Sequence, residues 1–448
     1  MTAADNIEAF MAKLEDGGFE YVRFELPDLH GTARAKTVPV SKAEAYARKG
    51  LNFYGGILAL DTASMVVPGS GLHEERNYAD SKLFPDPNSL TPVPWRERTA
   101  RVVCNVTFQD ETPIEAAPRR VLARLLDRAA GHGFNVLMGH EFEFYLLDAG
   151  TKEPFFQGLH IFNVVRNEYL PLTEILVDLL RAMGVDIITA NCEYAGSQYE
   201  INFGPGRGLA GADKAYAFKN ACKEIAHRHG AIASFMTKPW SDKAGSGCHL
   251  HMSLWNRETG ANAFLDPSGL EGAGESGLSA VARGFIAGQL AHAPAMMALA
   301  NPTANCYHRL KPHTFAPSNI SWGIEDRTAL VRVKGAGDES AHVEMRGGGA
   351  ASNPYLIAAG TLAAGLLGIE QQLELAPEVE GPSENDPALP KLPQGLEEAL
   401  AGLEADTAMR GILGEDFVKL FTTVKRFELA RFRAHVTDWE RDEYLEIH

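Results

Sequence analysis

The sequence predicts an α+β protein with more than one domain, on the basis of its length, its composition and the order of its segments. The chain has 448 residues, 45% of them hydrophobic and 22% charged, as in ordinary soluble globular proteins. At roughly 150 residues per domain, this length suggests two or three domains. Strand-like and helical segments alternate through most of the chain, which indicates a mixed architecture.

The first hundred residues mix short strands with one helix. "YVRFEL" and "ARVVCNVTF" have the composition of strands, and a helix is predicted near residues 41–49. Glycines and prolines punctuate residues 50–95, and Pro92 and Pro94 indicate a domain edge near residue 105.

Beyond that edge, helical apolar spacing and strand-like runs alternate. Helices are predicted at residues 118–133, 172–184, 212–229, 279–300 and 354–374. Strands are predicted at "NVLMGHEFEFYLL", "VDIITANCEY", "AIASFM" and "GCHLHMSLW". Residues 376–394 are rich in proline and acidic residues and are expected to form an exposed loop.

Charge and hydropathy exclude several classes of function. A net charge of −16 argues against a nucleic-acid partner, because such proteins concentrate positive charge. The longest weakly polar run, residues 355–368, is too short to span a bilayer and is predicted to be a buried helix. The acidic N-terminus does not resemble a signal peptide, and the five cysteines include no CxxC pair. We therefore expect a cytoplasmic protein with free thiols and no membrane association.

Two segments place acidic side chains together where the surrounding residues are apolar. In "GHEFEFYLL", Glu141 and Glu143 share one face of a strand whose other face carries Phe142 and Phe144. A single such pair usually belongs to a solvated strand face. In "ANCEYAGSQYEIN", however, Glu193 and Glu200 flank a Gly-Ser turn, which in a hairpin brings both carboxylates to one surface.

Two later segments repeat the pattern with histidine and arginine. "GSGCHLHMS" places His249 and His251 on one strand face, and "AHVEMRGG" does the same with His342, Glu344 and Arg346. Buried like charges cost several kcal/mol each unless something compensates them. A pair of divalent cations would do so, and carboxylates with a histidine suit Mg²⁺ or Mn²⁺ better than Zn²⁺.

Three further arginines indicate phosphate chemistry. Arg309, Arg327 and Arg332 lie in the segments that precede Glu344, and arginine suits bidentate binding of phosphate and carboxylate oxygens. Each one is equally compatible with a surface salt bridge. The sequence has no GxxxxGK[ST] P-loop and no complete dinucleotide fingerprint. A nucleotide would therefore be bound through metals and arginines.

Taken in order, these segments resemble the glutamine synthetase family over nearly the whole chain. The resemblance is carried by "HEFEF", "CEYAGSQYEINFGP", "GSGCHLHMSLW", "NPTANCYHRL", "APSNISWGIEDRTALVRV" and "HVEMR" followed by "ASNPYL". It implies a β-grasp domain at residues 1–105 and a catalytic domain with an antiparallel, barrel-like sheet and helices at residues 106–448. It also implies a ring-shaped homo-oligomer, commonly a dodecamer, whose sites lie between neighbouring subunits.

The resemblance further implies roles for individual residues in an ATP-dependent ligase that uses two to three Mg²⁺ or Mn²⁺ ions. The expected ligands are Glu143, Glu193 and Glu200 for one metal and Glu141, His249 and Glu344 for another. His251, Ser253, Trp255, Arg327 and Arg332 are expected to bind ATP, and Gly245, Arg309 and Arg346 the glutamate substrate.

This chain departs from the ammonia-using members of the family at two acidic positions. An N-terminal aspartate is replaced by Tyr54 in "GLNFYGG", and a glutamate that precedes "AP" is replaced by Phe315 in "HTFAP". Capture of NH₄⁺ and removal of its proton call for carboxylates, whereas aromatic rings suit a hydrocarbon-bearing amine. Ala244 also replaces an asparagine common in relatives, so glutamate could be held differently or the substrate could be another acid. His342 stands where many relatives have a phosphate-contacting arginine, and Glu325 where many have another arginine.

The sequence therefore predicts a ligase that joins the γ-carboxyl group of glutamate to a primary organic amine through a γ-glutamyl phosphate intermediate. Two alternatives stay open. One is a glutamine synthetase that uses ammonia, and the other is a catalytically silent ring protein of the same fold, which should have lost metal ligands.

Overall fold

The protein is built from helices and two curled sheets, as a computed structural model that describes residues 3–158, 161–168, 170–266 and 277–448 shows. The predicted mixed α and β architecture is confirmed. Most predicted elements of the second half occur within a few residues of their expected bounds.

The first sheet has six strands within the described residues, in the order β2-β1-β6-β4-β3 with β5 beside β6. The strands are β1 (Tyr21–Pro27), β2 (Ala33–Pro39), β3 (Leu51–Tyr54), β4 (Asp80–Pro85), β5 (Thr91–Pro92) and β6 (Thr99–Thr107). The helices of this region are α1 (Ala3–Asp16) and α2 (Val40–Lys49). β6 pairs with β1 in parallel, next to the β1-β2 hairpin, which is the expected β-grasp arrangement.

This sheet has its own hydrophobic core, formed mainly by one face of β1 and β6 and by α1. Phe10 of α1 meets Phe24 of β1 edge to face, with ring centroids 6.2 Å apart, and both are fully buried. The division predicted at residue 105 falls inside β6, close to its end at Thr107. The two-domain assignment itself stays a prediction.

The second sheet has nine strands within the described residues, and the order of its main path is β13-β14-β15-β12-β7-β9-β8. β10 and β11 pair separately with β7. The bounds are β7 (Phe134–Asp148), β8 (Ile187–Cys192), β9 (Gln198–Phe203), β10 (Gly206–Arg207), β11 (Ala231–Ser234), β12 (Cys248–Asn256), β13 (Trp322–Ile324), β14 (Val331–Lys334) and β15 (His342–Met345). Pairing is antiparallel except between β13 and β14.

Helices surround this sheet and form the rest of the core. They are α3 (Pro118–Gly131), α4 (Val164–Asn167), α5 (Leu172–Ala182), α6 (Leu209–Arg228), α7 (Ala280–Ala291), α8 (Ala293–Ala300), α9 (Pro354–Glu370), α10 (Leu396–Ala405), α11 (Thr407–Leu413), α12 (Glu415–Arg433) and α13 (Asp438–Tyr444). α9 is buried on every side from Pro354 to Gly368, as predicted for this apolar run. None of the described helices is both long and apolar enough to cross a bilayer.

Glycines allow α7 and α9 to pack at very short range. A Cβ atom on Gly288 would lie 2.1 Å from the carbonyl oxygen of Ala364, and one on Gly368 would lie 2.0 Å from that of Gly284. These neighbours are backbone atoms, which cannot move aside as a flexible side chain can. Larger residues at these positions would therefore separate the two helices.

We predict that Gly288→Ala lowers the free energy of unfolding by about 1–3 kcal/mol, the usual effect of overpacking a core. Thermal and urea unfolding of the variant measure this change.

Gly411→Ala is the matched control, because Gly411 is an exposed helical glycine whose added Cβ would meet no atom within 4 Å. There the higher helix propensity of alanine should raise stability by up to about 1 kcal/mol. Equal effects of the two substitutions would contradict the packing argument.

Candidate active site

The register of the second sheet brings the predicted charged residues onto one face. Directly opposed residues of neighbouring strands point to the same side of a sheet. The opposed pairs are Glu143 with Glu200, Glu141 with His249, His251 with Glu344, and Glu344 with Arg332. A row of acidic, imidazole and guanidinium groups therefore crosses β9, β7, β12, β15 and β14.

The opposite face of the same strands is core. Phe142, Phe144 and Leu250 are fully buried, and Phe142 stacks on Phe218 of α6 with ring centroids 6.1 Å apart. Because side chains alternate along a strand, burying these residues forces the charged ones to the other side. The apolar alternation of the sequence thus positions the charged face.

The predicted hairpin places Glu193 beside this row. β8 and β9 pair antiparallel, and the backbone N–H of Glu193 donates to the carbonyl oxygen of Gln198 at 2.7 Å across the turn. Asn191 Nδ2 donates to Glu193 Oε1 at 3.1 Å. These contacts fix the carboxylate at the end of the hairpin.

One end of the row is neutralised within the chain. Glu141 Oε1 lies 2.8 Å from His249 Nδ1, and Glu141 Oε2 lies 3.4 Å from His251 Nε2. Although burial alone would raise the pKa of Glu141, these two histidines hold it well below its usual value. In the same way burial is outweighed at Glu344, where His249 and Arg346 lower the pKa to about 2.

The other end of the row lacks such compensation. Glu143, Glu193 and Glu200 form no ion pair with any described residue. Burial and repulsion by neighbouring carboxylates raise the pKa of Glu200 to about 9. Burial and the charge of Glu143 raise the pKa of Glu193 to about 7. These carboxylates therefore need a cation to ionise together at neutral pH.

This donor set fits hard divalent cations. Glu141, His251 and Glu344 offer ligand atoms that all lie within 4.8 Å of one another. His249, the histidine expected from the sequence, is also adjacent, because its Nδ1 lies 3.7 Å from Glu344 Oε1. Glu143, Glu193 and Glu200 supply only oxygen donors, which suit Mg²⁺ and Mn²⁺. The assignment of ligands to individual ions stays a prediction.

A cavity of about 630 Å³ contains most of the predicted site residues. Its walls include all six predicted metal ligands, and also Gly245, Arg309, Arg327, Arg332, Arg346 and Phe315. The side chain of Arg309 is buried, and its Nη2 lies 3.3 Å from His249 Nε2. A Cβ atom on Gly247 would lie 2.5 Å from that Nη2, so this glycine makes room for the arginine.

A second cavity of about 400 Å³ contains the remaining residues expected to bind the nucleotide. His251, Ser253 and Trp255 line it, together with apolar side chains, and Glu141 lines both cavities. Trp255 Nε1 donates to Ser253 Oγ at 3.0 Å. Arg207 stacks over Trp255 at 5.1 Å from the ring centroid, a contact that the sequence did not reveal.

Tyr54 is separated from the other predicted site residues within one chain. It lies at the end of β3 in the first sheet and lines neither cavity. Its hydroxyl group lies 2.6 Å from His73 Nδ1. Tyr54 and Phe315, the two aromatic residues expected to favour an organic amine, therefore do not line the same cavity of this chain, and a shared role in amine binding stays a prediction.

Two residues that depart from the family pattern contact predicted ATP-binding residues, and a third, Ala244, lines the larger cavity. His342 Nε2 lies 3.1 Å from His251 Nδ1. Arg332 donates to Glu344 at 3.1 Å and also to Glu325. The Ala244 carbonyl oxygen accepts a hydrogen bond from Tyr145 at 2.7 Å. These residues are therefore integrated into the site rather than remote from it.

Comparison with known proteins assigns the chain to a family. Residues 115–444 match the family "Glutamine synthetase, catalytic domain". A glutamine synthetase from Halobacterium salinarum is 33% identical over 99% of this chain and 97% of its own length. A gamma-glutamylethanolamide synthetase from Streptomyces coelicolor is 32% identical over 97% of this chain and 94% of its own length. Overall identity thus does not separate the two kinds of nucleophile.

A solved structure described as "GmaS/ADP complex-Conformation 1" has the same fold. It superposes with a TM-score of 0.87 at 31% identity and covers 98% of this chain and 99% of its own. The agreement extends over both sheets, so the chain has a glutamine synthetase-like fold throughout.

We predict that the metal-free protein loses stability as the pH rises from about 6 to about 8.5. Glu193 and Glu200 have folded-state pKa values of about 7 and about 9, above the ordinary value. The folded state therefore holds more protons than the unfolded state in this range, and its stability is lost as the pH rises through these values. Thermal unfolding in EDTA measures the effect, and Mg²⁺ should reduce it.

Two variants test the origin of this pH dependence. Glu200→Gln cannot ionise and should flatten the dependence, whereas Glu258→Gln removes an exposed carboxylate from a surface turn and should leave it unchanged. An unaltered slope in Glu200→Gln would show that the carboxylate cluster is not its source.

Proposed function

The chain belongs to the glutamine synthetase family and is a carbon–nitrogen ligase, and on this premise we propose that it joins the γ-carboxyl group of glutamate to a primary organic amine at the expense of ATP. The observation that carries the choice of nucleophile is the aromatic side chain of Phe315 in the cavity that holds the carboxylate cluster. We further propose a cytoplasmic ring-shaped homo-oligomer, commonly a dodecamer in this family.

The reaction needs ATP and glutamate side by side, and the two adjoining cavities could hold one each. A carboxylate is a poor acyl donor, so the γ-carboxylate must first be converted into an acyl phosphate by ATP. The nucleotide would occupy the cavity with Trp255, and glutamate the cavity with Arg309 and Arg346, so that Glu141 lies between them. The transferring phosphoryl group would then pass between the two substrates beside Arg332.

The charged residues would act on this transfer by binding and orientation. Arg327 and Arg332 would stabilise negative charge on the phosphoryl group, and His251 would contact the nucleotide phosphates. A bound pair of Mg²⁺ or Mn²⁺ ions would offset charge on the same oxygens. Glu143, Glu193 and Glu200 would hold one ion, and Glu141, Glu344 and His249 or His251 the other.

The second step forms the amide bond. The lone pair of the amine attacks the acyl carbon, the bond from that carbon to the phosphate oxygen breaks, and the nitrogen loses a proton. An aromatic ring beside the nucleophile binds the hydrocarbon part of an amine, whereas NH₄⁺ lacks any such group. Phe315 therefore favours an organic amine over ammonia.

Two alternatives predict different behaviour. A glutamine synthetase that uses ammonia is supported by the overall identity to the Halobacterium salinarum protein. A silent ring protein should have lost its metal ligands, whereas all six predicted ligands line one cavity. The first alternative is therefore the serious competitor.

A phosphate-release assay with ATP, glutamate and a panel of nucleophiles tests the proposal. We expect turnover with at least one of methylamine, ethanolamine, isopropylamine, aniline and putrescine to exceed turnover with ammonia. Highest turnover with ammonia would refute the amine specificity and leave the ligase assignment intact. No phosphate release with any nucleophile would favour the silent ring protein.

The substitution Phe315→Glu tests the role of this position directly. A carboxylate here would attract NH₄⁺ and accept its proton, so kcat/KM for ammonia relative to the best amine should rise by about tenfold or more. Steady-state kinetics with both nucleophiles measure this ratio.

Phe315→Gln is the control, because glutamine has nearly the same shape as glutamate but carries no charge. It should weaken amine binding without improving the use of ammonia. An equal gain in ammonia use in both variants would contradict a role for the carboxylate charge.

A further inference from the structure

Three residues with phenyl or phenol rings line the cavity of the carboxylate cluster, and the proposed reaction assigns a role to Phe315 but none to Phe162 and Tyr194. Phe162, Tyr194 and Phe315 lie in its wall together with Glu193. All three are partly exposed to solvent within the single chain. Large exposed aromatic groups beside an acidic cavity suggest a surface that a ligand covers.

Tyr194 and Phe315 form a pair across the cavity wall. Their rings stack with centroids 5.9 Å apart and planes inclined by 23°. Phe315 belongs to the segment between α8 and β13, whereas Tyr194 follows the hairpin strand β8. The stack therefore joins two separate parts of the chain at the mouth of the site.

The backbone holds two of these aromatic residues in an unusual conformation. Phe162 has a φ of 55° and Phe315 a φ of 54°, in the left-handed region that bulky residues rarely adopt. Such strained positions concentrate at functional sites, where surrounding contacts enforce them. Here the Phe162 N–H donates to the Cys192 carbonyl oxygen at 3.1 Å, and the Phe315 carbonyl oxygen accepts from Arg346 at 3.4 Å.

Those contacts tie the aromatic rings to the charged groups of the site. Arg346 also donates to Glu344, and Cys192 immediately precedes Glu193. Tyr194 follows Glu193 directly, and the Glu193 N–H···O=C Gln198 bond across the turn fixes that part of the hairpin. The rings are thus held at a set position relative to the carboxylates.

We propose that Tyr194 and Phe315 act as one paired aromatic wall that binds the hydrocarbon substituent of the amine, with Tyr194 as a specificity-determining residue. This inference rests on the proposed function. The wall would contact an apolar substituent through its ring faces and attract a protonated amine by cation–π interaction. Short alkyl or aryl primary amines fit this chemistry, whereas ammonia has no group for the wall to hold.

A purely structural role for the stack makes a different prediction. If Tyr194 only anchored the segment that carries Phe315, its loss would disturb Arg346 and weaken the binding of glutamate, ATP and the amine alike. If it binds the amine, its loss would raise KM for the amine and leave KM for glutamate and ATP nearly unchanged. The two roles therefore differ in which KM responds.

The experiment is steady-state kinetics of Tyr194→Ala, Tyr194→Phe and Tyr194→Leu in the full-length enzyme with ammonia, methylamine, ethylamine and isopropylamine. In Tyr194→Ala we expect KM for the alkylamines to rise by about tenfold, the scale of losing apolar contact in a pocket, and KM for glutamate to change less than twofold. Tyr194→Phe keeps the ring and should restore amine binding. Tyr194→Leu keeps apolar bulk without the ring and should also raise KM for the alkylamines, which tests the ring even if the alanine variant does not fold.

A double-mutant cycle tests whether the two rings act as a pair. Residues in contact usually show non-additive effects, so Tyr194→Ala with Phe315→Ala should reduce kcat/KM for amines by less than the product of the single effects. Tyr46→Ala is the matched control, because Tyr46 is 37% exposed and Tyr194 38%, and Tyr46 lies on α2 outside both cavities. It should leave all KM values unchanged.

The outcomes separate this inference from the proposed function. If the wild-type enzyme turns over ammonia better than every amine, the proposed function fails and the inference with it. If the wild-type enzyme prefers an amine and Tyr194→Ala keeps that preference, the inference alone is overturned. Equal rises in KM for glutamate, ATP and amines would overturn it in favour of a structural anchor.

Discussion

The structure depends on the alternation of phenylalanine and glutamate along β7. Burying Phe142 and Phe144 in the core turns Glu141 and Glu143 to the opposite side, where β9, β12 and β15 add further ionisable groups at opposed positions. Burial of the apolar side chains on one face of the sheet thus brings like-charged carboxylates together on the other face, where they repel each other. Histidines and arginines relieve this repulsion at one end of the row, and the other end is left for a cation. Both sides of the sheet therefore follow from a single periodicity.

The two cavities of the site meet at one carboxylate of the charged row. Glu141 lines both of them, and its carboxylate oxygens contact His249 Nδ1 at 2.8 Å and His251 Nε2 at 3.4 Å. An ionised group in the wall of both cavities keeps each of them polar at that point, while Trp255 and apolar side chains also line the smaller cavity. The fold thus separates a smaller cavity with many apolar side chains from a larger cavity lined by carboxylates and arginines.

Much of the site could be predicted from the sequence, because its residues recur at period-two spacing in otherwise apolar segments. The side chains of Glu141, Glu143, Glu193, Glu200, His249, His251 and Glu344 all line the two cavities, and their individual roles stay predictions. Contacts that depend on strand register or on the path of loops could not be predicted: the stack of Tyr194 on Phe315, the placement of Arg207 over Trp255, and the approach of His251 Nε2 to within 3.4 Å of Glu141 Oε2. The helix α1 and the strands within residues 50–95 were also missed, because short amphipathic elements among glycines and prolines give weak patterns. Tyr54 lies at the end of β3 and lines neither cavity, so its predicted place beside the amine stays a prediction.

The direct opposition of Glu143 and Glu200 has a consequence for how the chain reaches its native state. A one-residue slip of β9 would turn Glu200 towards the core and Tyr199 towards the cavity, since side chains alternate along a strand. A chain with that error would lack one oxygen donor and would therefore be stabilised less by a divalent ion. Binding of a divalent cation would in this way stabilise correctly paired chains more than incorrectly paired ones. The acidic row would therefore favour the native register of the sheet in addition to its role in the reaction.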